Sequence, residues 1–189
     1  MEGIFTLPYS EYESIIQLQK NFPKKYYSIL IPASRQQKGI DFVLMNLKSA
    51  KCLRFQVKSS RSWVSSKPDT NIERNFKYTL WFNNFIKRYK SNIADFYILF
   101  GLYQIYDNSK NIKSKKAFWK NVILIFKDKE MRSFLKKVKT KKSQESDQFF
   151  YVRFSDMTDI CATRGFPKPF PLSKYLLQNR DKEIIKILK

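Results

Sequence analysis

An α/β domain is the fold class the sequence predicts, on three observations. A segment of helical period near the start runs into short β-type stretches, a dense apolar run of strand length sits mid-chain, and helical segments recur after it. The 189 residues suit one domain over 1–189. An apolar content of 43%, with 17 Phe, 11 Tyr and 3 Trp, furnishes a sizeable core.

Taken in order, Ser10 suits the N-cap of a helix reaching about Asn21. Tyr12, Ile15, Ile16 and Gln19 recur at helical spacing, Glu11 and Glu13 lie in the positive first turn, and Pro23 stops the helix. Three β-type runs follow at 26–31, 40–46 and 52–59, divided by polar turns at 34–39 and 46–51. Residues 59–75 are polar and aperiodic around Pro68 and Asp69, which reads as a surface loop. Residues 76–81 read as strand, 82–89 are ambiguous, and 94–103 should be a central strand. Beyond them come a strand at 122–126 and a helix capped by Asp128 to about Lys137. A lysine-rich exposed connection over 136–148 leads to an alternating strand at 149–154. Pro167, Pro169 and Pro171 stiffen an extended link over 165–171. Ser173 starts a last helix to Leu188, with Tyr175, Leu176, Ile184, Ile185 and Leu188 as its apolar side. The sequence carries no internal repeat.

Charge narrows the partners. Against 37 Lys and Arg stand 16 Asp and Glu, a net +21 that opposes compaction by self-repulsion until a polyanion neutralises it. Nucleic acid is the expected partner. A membrane is not, because no run of ~20 apolar residues and no basic helix with a broad apolar face is present. Residues 1–8 lack the basic and apolar regions of an export signal, so a cytoplasmic setting is expected. Cys52 and Cys161 have no paired spacing and read as two reduced thiols. The chain has no His. That excludes Ser-His-Asp triads, HExxH zinc sites and every His general base, so hydrolysis would have to rest on carboxylates, Lys and a metal.

The residues that fit such chemistry are Asp41, Gln56 and Lys58. In the second β-run Ile40, Phe42 and Leu44 face one way, and Asp41 is a charge near the start of an otherwise apolar strand. In the third run Gln56 and Lys58 share a face opposite Phe55 and Val57. A hairpin through 46–51 brings Asp41 alongside them. Burying such groups costs ~1–3 kcal/mol for each unsatisfied partner, and a divalent cation with a phosphate satisfies all three. Asp41 would give Mg²⁺ a hard oxygen and Gln56 a neutral carbonyl oxygen. Lys58 would meet the scissile phosphate and the attacking water.

This pattern resembles the PD-(D/E)XK nuclease superfamily, in its glutamine (QxK) variant, over residues 10–61. The resemblance implies a restriction-endonuclease-like core of order α-β-β-β-α-β, a mixed central sheet flanked by helices, and elaborations after about residue 100. It implies Asp41 at the first acidic position, Gln56 at the (D/E) position, Lys58 as the motif lysine, and a Glu from the preceding helix. Glu11, on the edge of the apolar stripe, is preferred for that role and Glu13 is the alternative; either could instead serve the helix dipole. Ile40 stands where the motif has Pro. Gln56 replaces an acid, which removes one negative charge from the metal site, although glutamine variants occur in active members. The activity implied is Mg²⁺-dependent hydrolysis of DNA phosphodiesters, with Mn²⁺ able to substitute. The restriction, homing or repair setting stays open.

Around the motif, Arg35, Lys38 and Arg61 could hold phosphates, Gln36 or Gln37 could read a base edge, and Ser59 and Ser60 flank Lys58. Each could equally be a solvated turn residue. Lysine runs at 113–116 and 136–142 read as electrostatic arms. Most aromatics fall in strand-like runs and suit the core, with Trp63 and Trp81 less certain. A homodimer or higher homo-oligomer is expected, since cutting two strands calls for two symmetric sites. The rival readings are a catalytically inactive nucleic-acid-binding protein of the same fold, and a basic structural protein.

Overall fold

The computed structural model describes residues 8–32, 39–64, 76–83, 85–106, 117–138 and 149–189. Helix α1 covers Tyr9–Asn21. Pro8, not Ser10, begins it: the Pro8 carbonyl accepts the Glu11 and Tyr12 N–H groups at 3.0 and 3.1 Å. Ser10 is already helical, and its carbonyl takes the Ser14 hydroxyl at 2.6 Å. Pro suits this place because its ring fixes φ in advance and it has no N–H to satisfy.

The strands are β1 (Tyr27–Leu30), β2 (Phe42–Asn46), β3 (Cys52–Val64), β4 (Tyr78–Phe82), β5 (Phe96–Tyr106), β6 (Ala117–Lys127), β7 (Phe150–Phe154), β8 (Cys161–Ala162) and β9 (Phe170–Pro171). Helix α2 (Phe85–Arg88) lies between β4 and β5, α3 (Asp128–Lys137) follows β6, and α4 (Leu177–Leu188) ends the chain. Between β3 and its parallel neighbour β5 the described residues form β4 and a single helical turn, where the expected core order has a helix alone. The sheet is mixed, as expected: β3 pairs antiparallel with β2 and parallel with β5, and β5 pairs antiparallel with β6.

Strand β3 runs into the first residues of the stretch expected to be loop, whose remainder, 65–75, lies outside the described residues. Ser62, Trp63 and Val64 pair with Leu80, Thr79 and Tyr78 of β4, and backbone pairing overrides the polar composition of 59–64. From β4 the ladder continues through β7 to β8 and β9. Those last two strands have two residues each, too short to leave a period in the sequence. The final helix is also divided. Ser173–Tyr175 is a 3₁₀ turn, Leu176 is extended (φ −57°, ψ 140°) and bridges to Leu124, and α4 begins after it.

Alternation along β5 separates two cores. Phe96, Ile98 and Phe100 join Leu18, Phe42, Phe55 and Ile184 under α1 and α4, whereas Tyr97, Leu99 and Tyr103 face β4, β7 and α3. Side by side on β2, β3 and β5, Phe42, Phe55 and Phe96 stack at 4.9 and 5.3 Å. Arg180 of α4, 8% exposed, pairs with Glu130 of α3 and with Glu183. The Glu130 carboxylate also accepts the Lys127 N–H at 2.9 Å, so Lys127 precedes α3 as its cap and Asp128 is the first helical residue. Asp181 of α4 accepts Asn21 Nδ2 at 2.6 Å, but its other carboxylate oxygen is buried with no partner.

Two outcomes follow. Phe55→Ala opens a cavity at the middle of the aromatic stack and should destabilise the fold by about 3–5 kcal/mol in urea titration; a loss below ~1 kcal/mol would mean the stack is not a core element. Burial pushes the Asp181 carboxyl up to about 6 despite the Asn21 bond. The folded state thus holds a proton that the unfolded chain releases near pH 4, and stability falls as pH rises from about 4 through 6. Asp181→Asn should raise Tm at pH 7.5 and lose that advantage at pH 4, and equal gains at both values would rule out the titration.

Candidate functional site

Asp41 stands one residue before β2, in a bend that breaks from the hairpin ladder. In the regular register Phe42 faces Phe55. The Asp41 N–H bonds the Phe55 carbonyl at 2.8 Å, and one carboxylate oxygen accepts the Val57 N–H at 2.5 Å. The two bonds straddle Gln56. A carboxylate that accepts a backbone N–H is fixed in orientation by a charge-assisted bond, stronger than a neutral one.

Gly39 completes the approach. Its φ of +110° is a conformation side chains avoid, and a Cβ there would lie 2.5 Å from Ile93 Cγ2 and 3.5 Å from Gln56 Nε2. A larger residue would collide with Ile93, whereas the Gln56 amide lies at ordinary contact distance.

Gln56 and Lys58 are half-buried on the face opposite Phe55 and Val57. In the parallel register they sit beside Tyr97 and Leu99 of β5. Among the described residues, neither the Gln56 amide nor the Lys58 ammonium has a hydrogen-bond or ion-pair partner. Arg54, two residues earlier, is different. It grips Asp95 through Nε and Nη2 at 3.1 and 2.9 Å, and its own N–H reaches the same carboxylate at 2.8 Å. Burial would raise the Asp95 carboxyl, but the Arg54 guanidinium, N–H and charge together hold it below its ordinary value. Asp128 is likewise committed: Tyr89 Oη donates to it at 2.7 Å, the Asn92 N–H at 3.2 Å and Arg132 Nη2 at 2.5 Å. Burial pushes its carboxyl up, and those donors bring it below the usual range.

Gly39, Arg54 and Asp95 were not singled out by the sequence reading. The available signals were a glycine two residues before Asp41, a cation in phase with Gln56 and Lys58, and an acid directly before the central apolar run.

Of the two helix carboxylates, Glu13 is placed apart from this group. Helix α1 packs by Ile15 and Leu18 onto the face that carries Phe55 and Val57, the reverse of the face with Gln56 and Lys58. Glu11 is half-buried in its first turn. Glu13 Oε1 accepts Gln17 Nε2 at 2.6 Å and Asn121 Nδ2 of β6 at 2.9 Å, which draws it towards β6. Among the described residues no three His, Cys, Asp or Glu gather as a metal cluster. One carboxylate and one amide oxygen fit a hard divalent cation that keeps most of its water.

Of the expected nucleic-acid contacts, Arg35, Gln36, Gln37 and Lys38 lie outside the described residues, as do the lysines at 113–116 and at 139–142. Ser59 and Arg61 are exposed. The Ser60 hydroxyl donates to the Trp81 carbonyl at 2.8 Å and accepts the Trp81 N–H at 3.0 Å, so it serves to fasten β3 to β4. No helix among the described residues is long and apolar enough to cross a membrane.

No protein-family model matches the chain, and no curated protein matches it. Among solved structures it is similar to a bacterial homing endonuclease, I-Ssp6803I, at 16% identity, covering 95% of this chain and 88% of that one with a TM-score of 0.41. A likeness of that grade carries no argument about chemistry, which rests on the side chains described above.

Gly39→Ala should lower stability by ~1–3 kcal/mol through backbone strain and the clash with Ile93. In an Ile93→Ala background the loss should shrink, because only the strain remains. Equal losses in both backgrounds, measured by chemical denaturation, would show that the close approach is unimportant.

Proposed function

We propose that the chain is a metal-dependent DNA endonuclease of PD-(D/E)XK type that hydrolyses phosphodiester bonds through Asp41, Gln56 and Lys58. The observation that carries the reading is the carboxylate of Asp41 pinned to the Val57 N–H, beside two half-buried polar side chains that have no partner among the described residues. Both side chains are only half-buried, so water meets their polar atoms and a cation or phosphate would take its place. The net charge of +21 favours a polyanionic substrate.

In this reading Asp41 and the Gln56 carbonyl would hold Mg²⁺, or Mn²⁺ in its place; Glu11 belongs to the family resemblance alone, since α1 packs on the other face of the sheet. When bound, the ion supplies charge that polarises a phosphoryl oxygen and acidifies a bound water. Asp41 stays oriented for that role because its bond to backbone cannot swing away with a rotamer. Lys58 presents its ammonium to a non-bridging oxygen of the scissile phosphate and to the attacking water, and offsets the negative charge that develops there. Arg54 does not compete for Asp41, since its guanidinium is held by Asp95. Cleavage of both strands of a duplex would call for two copies of this site, hence a homodimer or larger homo-oligomer.

The second reading is a nucleic-acid-binding protein that keeps the fold without hydrolysis. It is favoured by the uncharged Gln56 and by the lack of a three-acid cluster among the described residues.

Purified protein incubated with supercoiled plasmid and Mg²⁺ or Mn²⁺ separates the two. Nicking or linearisation that stops in EDTA, and that falls by about 10²-fold or more in Asp41→Ala and Lys58→Ala, supports the endonuclease. Intact plasmid under every metal and salt condition, with binding retained, supports the inactive binder. Gln56→Glu restores a negative charge and should lower the Mg²⁺ concentration for half-maximal cleavage; an unchanged metal dependence would remove Gln56 from the metal site.

A further inference from the structure

Three separate stretches of chain meet at the end of the β2–β3 hairpin remote from Asp41. The turn over 46–51 is held by its own side chain: Asn46, 9% exposed, takes the Lys48 and Ser49 N–H groups on Oδ1 at 2.8 and 3.2 Å. The Leu47 N–H bonds the Tyr26 carbonyl at 2.9 Å, which brings in the Pro23–Tyr26 turn. The Ser49 hydroxyl donates to the Leu188 carbonyl at 2.7 Å, which brings in the last turn of α4. Each stretch is basic. Lys24 and Lys25 come from the first, Lys48 and Lys51 from the second and Lys186 from the third, and all five are exposed. Lys25 lies over the Tyr26 ring at 5.5 Å. Among the described residues the ammonium groups of the other four have no hydrogen bond or ion pair. Residues 22–40, 42–68 and 184–189 contain no Asp or Glu. The nearest acids along α4 are engaged elsewhere, Asp181 by Asn21 and Glu183 by Lys127 and Arg180.

Five like charges on adjoining stretches repel one another, and these stretches supply no acid to offset them. The C-terminal end of α4 contributes only about half a negative charge through its dipole. The remaining imbalance suits a polyanion from outside. We propose that this end of the molecule is an anchoring surface for the phosphate backbone of duplex DNA, separate from the cleavage site and without part in the chemistry. The proposal rests on the reading of Asp41, Gln56 and Lys58 as a DNA site, because one hairpin carries both. Five residues of strand separate Asn46 from Asp41, roughly 17 Å, or the rise of about five base pairs. That is within the length one bound duplex covers. An acidic membrane would use the same lysines, but the exposed apolar groups here, Tyr26, Leu47 and Ile187, sit on three different segments and do not form the continuous apolar face of a membrane-surface helix. Lysine ammonium groups that meet phosphates carry no sequence information, so the surface raises affinity for any sequence.

The test is binding of a fluorescein-labelled duplex of about 30 base pairs, read by anisotropy with the full-length protein in EDTA over a range of salt. The triple variant Lys24→Gln, Lys48→Gln, Lys51→Gln should flatten the plot of log affinity against log salt by about 2–3, since each lost phosphate contact removes ~0.9, and should weaken binding about 30-fold or more at about 100 mM salt. The control triple Lys129→Gln, Lys136→Gln, Lys168→Gln removes the same charge from exposed positions on α3 and before β9, and should change the slope by less than about 1. Equal slopes in the two variants, a slope unaltered in the first, or no duplex binding by the unaltered protein would each overturn the proposal. So would loss of sedimentation with phosphatidylglycerol vesicles in the first variant while its duplex binding stays intact, which would assign the lysines to a membrane. Plasmid cleavage at saturating protein keeps the two readings apart: cleavage with an unaltered slope removes only the anchoring surface, and a flattened slope without cleavage removes only the hydrolase.

Discussion

Strand β3 has to satisfy three neighbours at once, and the rest of the molecule is arranged around that demand. Its first residues pair with β2, the middle with β5 and the last three with β4. Such a strand cannot be apolar on both faces for its whole length, because only one face is covered by α1 and α4. Phe55 and Val57 serve that face, and Phe55 is locked between Phe42 and Phe96. The register fixed by this stack leaves Arg54, Gln56, Lys58 and Ser60 in phase on the other face. A slip of one residue would turn all four into the core, at a cost of several kcal/mol for the charges alone.

Those four polar residues meet three different fates. Arg54 is neutralised by a two-point grip on Asp95, and Ser60 is consumed in closing β3 on β4. Gln56 and Lys58, between them, have neither kind of partner among the described residues. The ends of the row are structural and the middle is available. Asp41 is drawn to that middle because its N–H and its carboxylate bond to β3 on either side of Gln56. Ladder pairing at this position is exchanged for a fixed acid, which is a local loss of regular structure of the kind found where chemistry takes precedence over packing.

What could be read in advance followed period and spacing. The alternation in the runs around Asp41 and Gln56 placed three polar groups on neighbouring strands, and the apolar density of 94–103 marked β5 as central. What could not be read depended on partners distant in sequence. Residues 59–64 look like loop because Ser and Arg dominate them, yet β4 pairs with their end. β8 is a strand because β7 and β9 lie on either side of it, and Leu176 interrupts a helical pattern because Leu124 pairs with it. Ser10 had the better capping side chain, but Pro8 entered the helix first. For Glu11 and Glu13, helical phase told which face each occupies; it could not tell that Asn121, more than a hundred residues away, would bond Glu13.

The Ser60–Trp81 contact ties the two halves of the sheet together. Ser60 lies two residues beyond Lys58, roughly 6.6 Å along the strand. The backbone of Trp81 is held there by two bonds to one hydroxyl, so the ring at the solvent face and the ammonium at the inner face hang from adjacent points of β3. Loops could not keep such a spacing, since each would bring its own backbone entropy. A strand shared by both halves of the sheet holds it without further cost, because the pairing that builds the core already fixes both positions.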